Sequence, residues 1–312
     1  MSQSSSTSTG ASPGRVDVAA YMKAQAEIIN RRLDDFLPPP QQPPQIIHEA
    51  MRYAMFAGGK RLRPILALAA AEALQGPMER VLHFACGLEM IHCFSLIHDD
   101  LPAMDDDDFR RGKPTLHRRY DEAVAVLAGD ALLNLALQTV SQAPCRDARE
   151  SAILLQVLAR LCRATGTVGG MIAGQVEDMS SEGEAFDADR LHVIHNAKTG
   201  ALITASVECS ALLSGASRDE LRRLGAYGRH IGLAFQVVDD ILDVEGSSRQ
   251  LGKSAGKDQA ASKATFPSLY GVDESRRMAL QLVEKAVSEV SFLGESAHIL
   301  CELARFISVR RF

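Results

Sequence analysis

Two long apolar segments of this chain each run into a cluster of aspartates. The first ends at Asp99-Asp100 with Asp105 just beyond, the second at Asp239-Asp240 with Asp243. A carboxylate near a helix C-terminus opposes the macrodipole, and neighbouring carboxylates repel one another. Positions four apart on a helix are separated by about 40° of rotation, so Asp239 and Asp243 share a face one turn apart. A solvated helix end is one reading of such a run; a cation site that offsets the cost is the other. The Asp99 to Asp105 spacing does not fit a straight helix, because six residues leave the two side chains roughly 120° apart. Pro102 disfavours helical backbone at Leu101, and the resulting break can swing Asp105 back to the side of Asp99. Asp106 to Asp108 read as an acidic surface loop.

Helical periodicity dominates the remaining sequence. It predicts helices over Val16 to Phe36, Ile46 to Ala57, Arg63 to Leu74, Met78 to Leu101, Asp121 to Val140, Ala148 to Thr165, Asp187 to Leu213 and Asp219 to Val244, and again from Ser275 onward. Pro38-Pro39-Pro40, Gly58-Gly59 and Gly76-Pro77 punctuate them. Gly166, Gly169, Gly170 and Gly174 mark a segment where helices bend or pack closely. The polar, Lys-rich stretch Ser247 to Ser268 is too long for an idle connector and reads as a functional loop. No period-2 strand stands out. With 46% apolar residues, no Trp and 5% aromatics, Leu and Ala must supply the packing. The expected architecture is all-α: one large helical bundle over residues 15–312, preceded by a Ser/Thr-rich disordered tail over residues 1–14.

Charge narrows the partners. The net charge is −5, and no Lys/Arg stripe with interleaved aromatics is present, which argues against nucleic acid. No apolar stretch is read as reaching the ~18 residues that span a bilayer, and the N-terminus lacks a signal-peptide core. The expectation is a cytoplasmic protein without stable membrane insertion. Cys86, Cys93, Cys145, Cys162, Cys209 and Cys301 form no CxxC pair and read mostly as small buried hydrophobes.

Mg²⁺ takes one or two carboxylates and completes its shell with waters and phosphates. Two facing Asp clusters therefore read as the protein's half of a Mg²⁺–diphosphate assembly. Direct donors for a diphosphate are at hand. Gly58-Gly59-Lys60-Arg61-Leu62-Arg63-Pro64 places three cations on flexible backbone near a helix start, where anions are favoured. Arg110 and Arg111 are adjacent, point to different sides, and can each serve a different phosphorylated ligand.

Several segments resemble one family. GGKRLRP at 58–64, SLIHDDLPAMDDDD at 95–108, RRGKPT at 110–115, AGD at 128–130, GQVED at 174–178, Lys198-Thr199-Gly200, AFQVVDDILDV at 234–244 and LGKSAGKDQAASKATFP at 251–267 occur in the order of the trans-polyprenyl diphosphate synthases. The likeness is closest to bacterial farnesyl diphosphate synthases. The resemblance implies a helical bundle around a deep cleft, usually a homodimer. It implies that Asp99, Asp100, Asp105, Asp239, Asp240 and Asp243 hold Mg²⁺, about three ions, on an allylic diphosphate. Lys60, Arg63, His92 and Arg111 fall where the family binds isopentenyl diphosphate. Arg110, Lys198, Thr199, Gln236, Lys253 and Lys263 fall at allylic-diphosphate and carbocation-stabilising positions. Among these, Lys198, Thr199, Gln236 and Arg110 carry the catalytic expectation.

The implied activity is ionisation of a dimethylallyl or geranyl diphosphate and head-to-tail condensation with isopentenyl diphosphate. Phe94 lies five positions before Asp99, about 7–8 Å deeper along the helix, and with Ser95 is expected to set product length. In the family, an aromatic there and the extra Pro102-Ala103 accompany a farnesyl product, with geranylgeranyl and geranyl diphosphate as alternatives. A terpene cyclase and a non-catalytic synthase subunit compete with this reading, but the second Asp run is DDILD and both runs are complete. His98 reads as a satisfied core or interface residue. His48, His83, His117, His192, His195, His230 and His298 carry no assignment.

Overall fold

Where apolar side chains recur every three to four residues, the chain folds into helices that bury that face. The computed structural model describes residues 17–181, 188–249 and 265–309. In chain order the helices are α1 (Val18–Phe36), α2 (Gln45–Met55), α3 (Leu62–Ala73), α4 (Met78–Asp99), α5 (Leu116–Arg119), α6 (Glu122–Ser141), α7 (Ala148–Thr165), α8 (Met171–Ser180), α9 (Ala188–His195), α10 (Ala201–Leu213), α11 (Arg218–Arg249), α12 (Phe266–Tyr270), α13 (Val272–Val290) and α14 (His298–Val309). A π-helical turn, Asn196–Gly200, joins α9 to α10, and a 3₁₀ segment, Ser291–Ala297, joins α13 to α14. Caps set several of these starts. The Asp17 side chain accepts from the N–H groups of Ala19 and Ala20, Asp121 from Val124, and Asp147 from Glu150.

The arrangement is the all-helical bundle expected. α4 is apolar nearly all round because it is enclosed nearly all round: Val81, Phe84, Leu88, Met90 and Ile91 are fully buried. It packs between α3 and α6, while α11 packs against α10 and α13. A smaller buried cluster of Leu191, Val237, Val238, Ile241, Phe266 and Ala279 lies under α12.

Four expectations need correction. The glycine-punctuated segment contains a full helix, α8. Helix α11 continues past Val244 to Arg249, and the expected loop is already helical again at Phe266. A short antiparallel hairpin pairs Phe109 with Pro114 and Arg110 with Lys113. Its turn residues Arg111 and Gly112 both have positive φ, at 53° and 74°, the signature of a tight two-residue hairpin. Finally, α4 and α6 are each long and apolar enough to cross a membrane by length and composition, and here they lie packed on one another. The tail over residues 1–14 and most of the Lys-rich loop, with Lys253 and Lys263, lie outside the described residues.

Candidate functional site

Asp99 at the end of α4 and Asp239 and Asp243 on α11 line one cavity of about 1200 Å³. Helix α4 stops at Asp99, and the following residues turn back. The N–H of Leu101 donates to the His98 carbonyl at 3.2 Å, that of Met104 to Leu101 at 2.8 Å, and that of Asp105 to the Asp99 carbonyl at 2.8 Å. Asp105 thus returns beside Asp99, as the break at Pro102 predicted. Burial pushes the Asp99 carboxyl up to about 6, against the pull of Lys198 and with the push of Asp105. Crowded carboxylates in a poorly solvated wall favour a bound cation.

The second aspartate of each pair behaves differently. Asp100 is 4% exposed and accepts from Arg110 Nε at 2.6 Å. It borders a smaller pocket with Arg110 and Arg111 instead of the large cavity. Asp240, also 4% exposed, accepts from Gln236 Nε2 and from the Phe266 backbone N–H, each at 2.9 Å. The Nε2 atom of His195 lies 3.5 Å from the same carboxylate. Of the six aspartates expected to hold metal, Asp100 and Asp240 are therefore engaged inside the fold, one holding the hairpin and the other the start of α12.

The same cavity carries the cations. Gly58 and Gly59 have φ of 111° and 122°, conformations open to glycine but strained for other residues. A Cβ at Gly59 would also overlap the Arg111 guanidinium, and Arg111 donates to the Gly58 carbonyl. The two basic motifs are thus bound to each other. Arg61 points inward to a buried pair with Glu89 at 2.8 Å, and it also donates to Met55 O at 2.6 Å and Asn30 Oδ1 at 2.9 Å. Lys60, Arg63, His92, Arg110 and Arg111 all line the cavity with the aspartates. Arg63 Nε is buried without a hydrogen-bond partner among the described residues. Burial and the nearby Arg111 hold its guanidinium below its ordinary value, opposed by Glu89 and Asp239. Burial, reinforced by Arg63, Arg111, Arg110 and Arg61, holds the His92 imidazole well below its usual range, so it is neutral.

Lys198 and Thr199 project from the π-helical turn, a distortion that often marks functional sites. A Cβ at Gly174 on α8 would overlap the Lys198 backbone nitrogen, so glycine is what admits the turn. Lys198 Nζ pairs with Asp178 at 2.6 Å, and Thr199 Oγ1 donates to Gln236 Oε1 at 2.9 Å. Gln236 in turn donates to Asp240, so Thr199 and Gln236 form one connected chain with Asp240, while Lys198 turns to Asp178. Phe94, 8% exposed, lines the cavity beside Ser95 and meets His98 edge-on at 4.9 Å. His98 borders the cavity as well, with Nε2 3.1 Å from the Val126 carbonyl, rather than being only a core residue.

Sequence reasoning missed the wall formed by Met171, Ile172, Val176 and Met179 of α8, and the buried partner Glu89. A signal for α8 existed in the i, i+4 spacing of Ile172 and Val176. Glu89 offered a lone acid within an otherwise apolar helix. The site thus gathers carboxylates, cationic side chains, one of which (Arg63) has a buried Nε without a partner among the described residues, and an apolar shaft in one cavity, a set that fits a Mg²⁺-bound diphosphate with a hydrocarbon tail.

Comparison with known proteins agrees. The polyprenyl synthetase family profile matches residues 44–296. The chain is 45% identical to the heterodimeric geranylgeranyl pyrophosphate synthase large subunit 1, chloroplastic, of Arabidopsis thaliana, covering 96% of this chain and 81% of that one. It is 44% identical to the geranylgeranyl diphosphate synthase of Cyanophora paradoxa over 93% of this chain and 96% of the relative. The crystal structure of an FPP/GFPP synthase from Zymomonas mobilis superposes with a TM-score of 0.84 at 37% identity, covering 95% of this chain and all of the other. The chain belongs to the polyprenyl synthetase family and is a trans-prenyltransferase.

Proposed function

We infer that this chain extends a short allylic diphosphate with isopentenyl diphosphate by Mg²⁺-assisted ionisation. The observation that carries the reading is Asp99 of α4 and Asp239 and Asp243 of α11 lining one cavity with Arg63, His92 and Arg111. Asp99 and Asp105 on one side, with Asp239 and Asp243 on the other, would hold the Mg²⁺. When bound, the metal neutralises charge developing on the leaving diphosphate. Arg110 and Lys198 add fixed positive charge at the same leaving group, while Lys60, Arg63 and Arg111 bind the isopentenyl diphosphate with neutral His92 as a hydrogen-bonding partner.

The allylic C–O bond breaks and its electron pair departs with the diphosphate. The isopentenyl double bond attacks the allylic carbon, and loss of a proton to the released diphosphate restores an alkene. Thr199 and Gln236 present oxygens near the cation, and the apolar wall of α8 excludes water that would quench it.

For product length, the names of the relatives support geranylgeranyl diphosphate. A second reading, farnesyl diphosphate, rests on Phe94, whose ring lines the shaft below Asp99. The assembly we propose is a homodimer, supported by the exposed apolar side chains Val126, Leu127 and Leu155 on α6 and α7.

The test is incubation of the purified chain with Mg²⁺, labelled isopentenyl diphosphate and dimethylallyl diphosphate, followed by chromatography of the dephosphorylated products. A longer linear alcohol is expected, and its length decides between the C20 and C15 readings. A cyclic hydrocarbon, or no turnover, would overturn the assignment.

A further inference from the structure

The AGD segment at 128–130 stands on α6, which packs along α4. It reaches the cavity wall through His98. The imidazole lies on the backbone of the buried Gly129, and the three atoms nearest a Cβ built there all belong to His98. Such a Cβ would overlap Nε2 and Cδ2 of the ring, so only glycine leaves this seat open. Nε2 stands 3.1 Å from the Val126 carbonyl and 4.0 Å from the Asp130 carboxylate. A carbonyl only accepts, so Nε2 carries a proton and donates it to Val126.

His98 is one helical turn from Phe94 on α4, about 6 Å along the axis and on the same face. The two rings meet edge-on at 4.9 Å with their planes 77° apart, and both line the large cavity. A hydrocarbon tail whose diphosphate sits at Asp99 passes His98 before it reaches Phe94. The imidazole has Gly129 on one side, Phe94 on another and the cavity on a third, so a ring displaced from its seat moves into the shaft. Resting on the elongation reading above, we propose that His98 is a second specificity-determining residue, which sets the width of the shaft above Phe94. Gly129 is its positioning residue: by lacking a side chain it keeps the imidazole against α6 and the passage open.

The experiment compares the full chain with His98→Ala, Gly129→Ala and the double variant, each given Mg²⁺, labelled isopentenyl diphosphate and either dimethylallyl or geranyl diphosphate. His98→Ala widens the shaft and frees the Phe94 edge, and its main product should be at least one isoprene unit longer than the parent's. Gly129→Ala pushes the ring into the passage. It should lower kcat/KM for geranyl relative to dimethylallyl diphosphate about tenfold, the discrimination that one carbon makes in an apolar pocket. In the double variant the ring is gone, so this penalty should disappear. If Gly129→Ala does not fold, the product length of His98→Ala decides. Unchanged product lengths in His98→Ala, or a Gly129→Ala defect that persists in the double variant, would overturn the proposal while leaving elongation intact. A parent chain that makes no linear product would overturn the elongation reading, and this one with it.

Discussion

The Asp240 carboxylate accepts the backbone N–H of Phe266 at 2.9 Å, so the middle aspartate of the DDILD run anchors the start of α12. Its neighbour Asp239 instead lines the cavity. The two are consecutive in sequence, yet about 100° of helical rotation gives them different work. Asp99 and Asp100 repeat the division, with Arg110 in the place of Phe266.

That division separates two kinds of variant. Asp99→Asn and Asp239→Asn are expected to lower turnover about 10²–10³-fold and raise the Mg²⁺ requirement, with little change in thermal stability. Asp240→Asn is expected to cost about 1.5–3 kcal/mol of stability, since a buried charged acceptor is lost. It should leave the Mg²⁺ dependence closer to wild type. Mg²⁺ titrations of activity, run beside denaturant melts, decide it, and equal Mg²⁺ defects at 239 and 240 would refute the distinction.

Phe94 bears on the product through its place in the shaft. Replacing it with Ala opens space below Asp99 without touching a charged group. Products of Phe94→Ala should be longer than those of the parent by at least one isoprene unit, as read by chromatography of the alcohols. An unchanged chain length would show that the floor lies elsewhere.

Gly174 has a purely steric task. Gly174→Ala should push the π-helical turn away from α8, costing about 1–3 kcal/mol and lowering kcat through displacement of Lys198 and Thr199. Normal kcat with unchanged melting would mean the turn tolerates a methyl group.

Far from the cavity, Glu150 accepts from Arg146 Nε at 2.7 Å, from the Arg146 backbone N–H at 2.7 Å, and from Arg80. These bonds, the Arg146 side chain foremost, lower its carboxyl to about 2. A depressed folded value means stability that is present above the unfolded value of about 4.3 and is lost as pH falls through about 2. Glu150→Gln should therefore flatten the acid limb of a stability–pH curve between those limits. A limb identical to wild type would place the acid-sensitive group elsewhere.

Local sequence determined most of the helices and the residue types at their ends, because apolar periodicity, caps and proline breaks act within a few residues. The Pro102 break and the return of Asp105 were legible in this way. Tertiary structure alone decided which aspartate of each pair faces the cavity, that Arg61 turns inward to Glu89, and that α8 closes the shaft. It also decided that Arg111 adopts positive φ in a hairpin seated on Gly58 and Gly59. These outcomes depend on contacts between segments far apart in the chain. Buried polar groups had to find partners there, and no periodicity within one segment encodes where those partners stand.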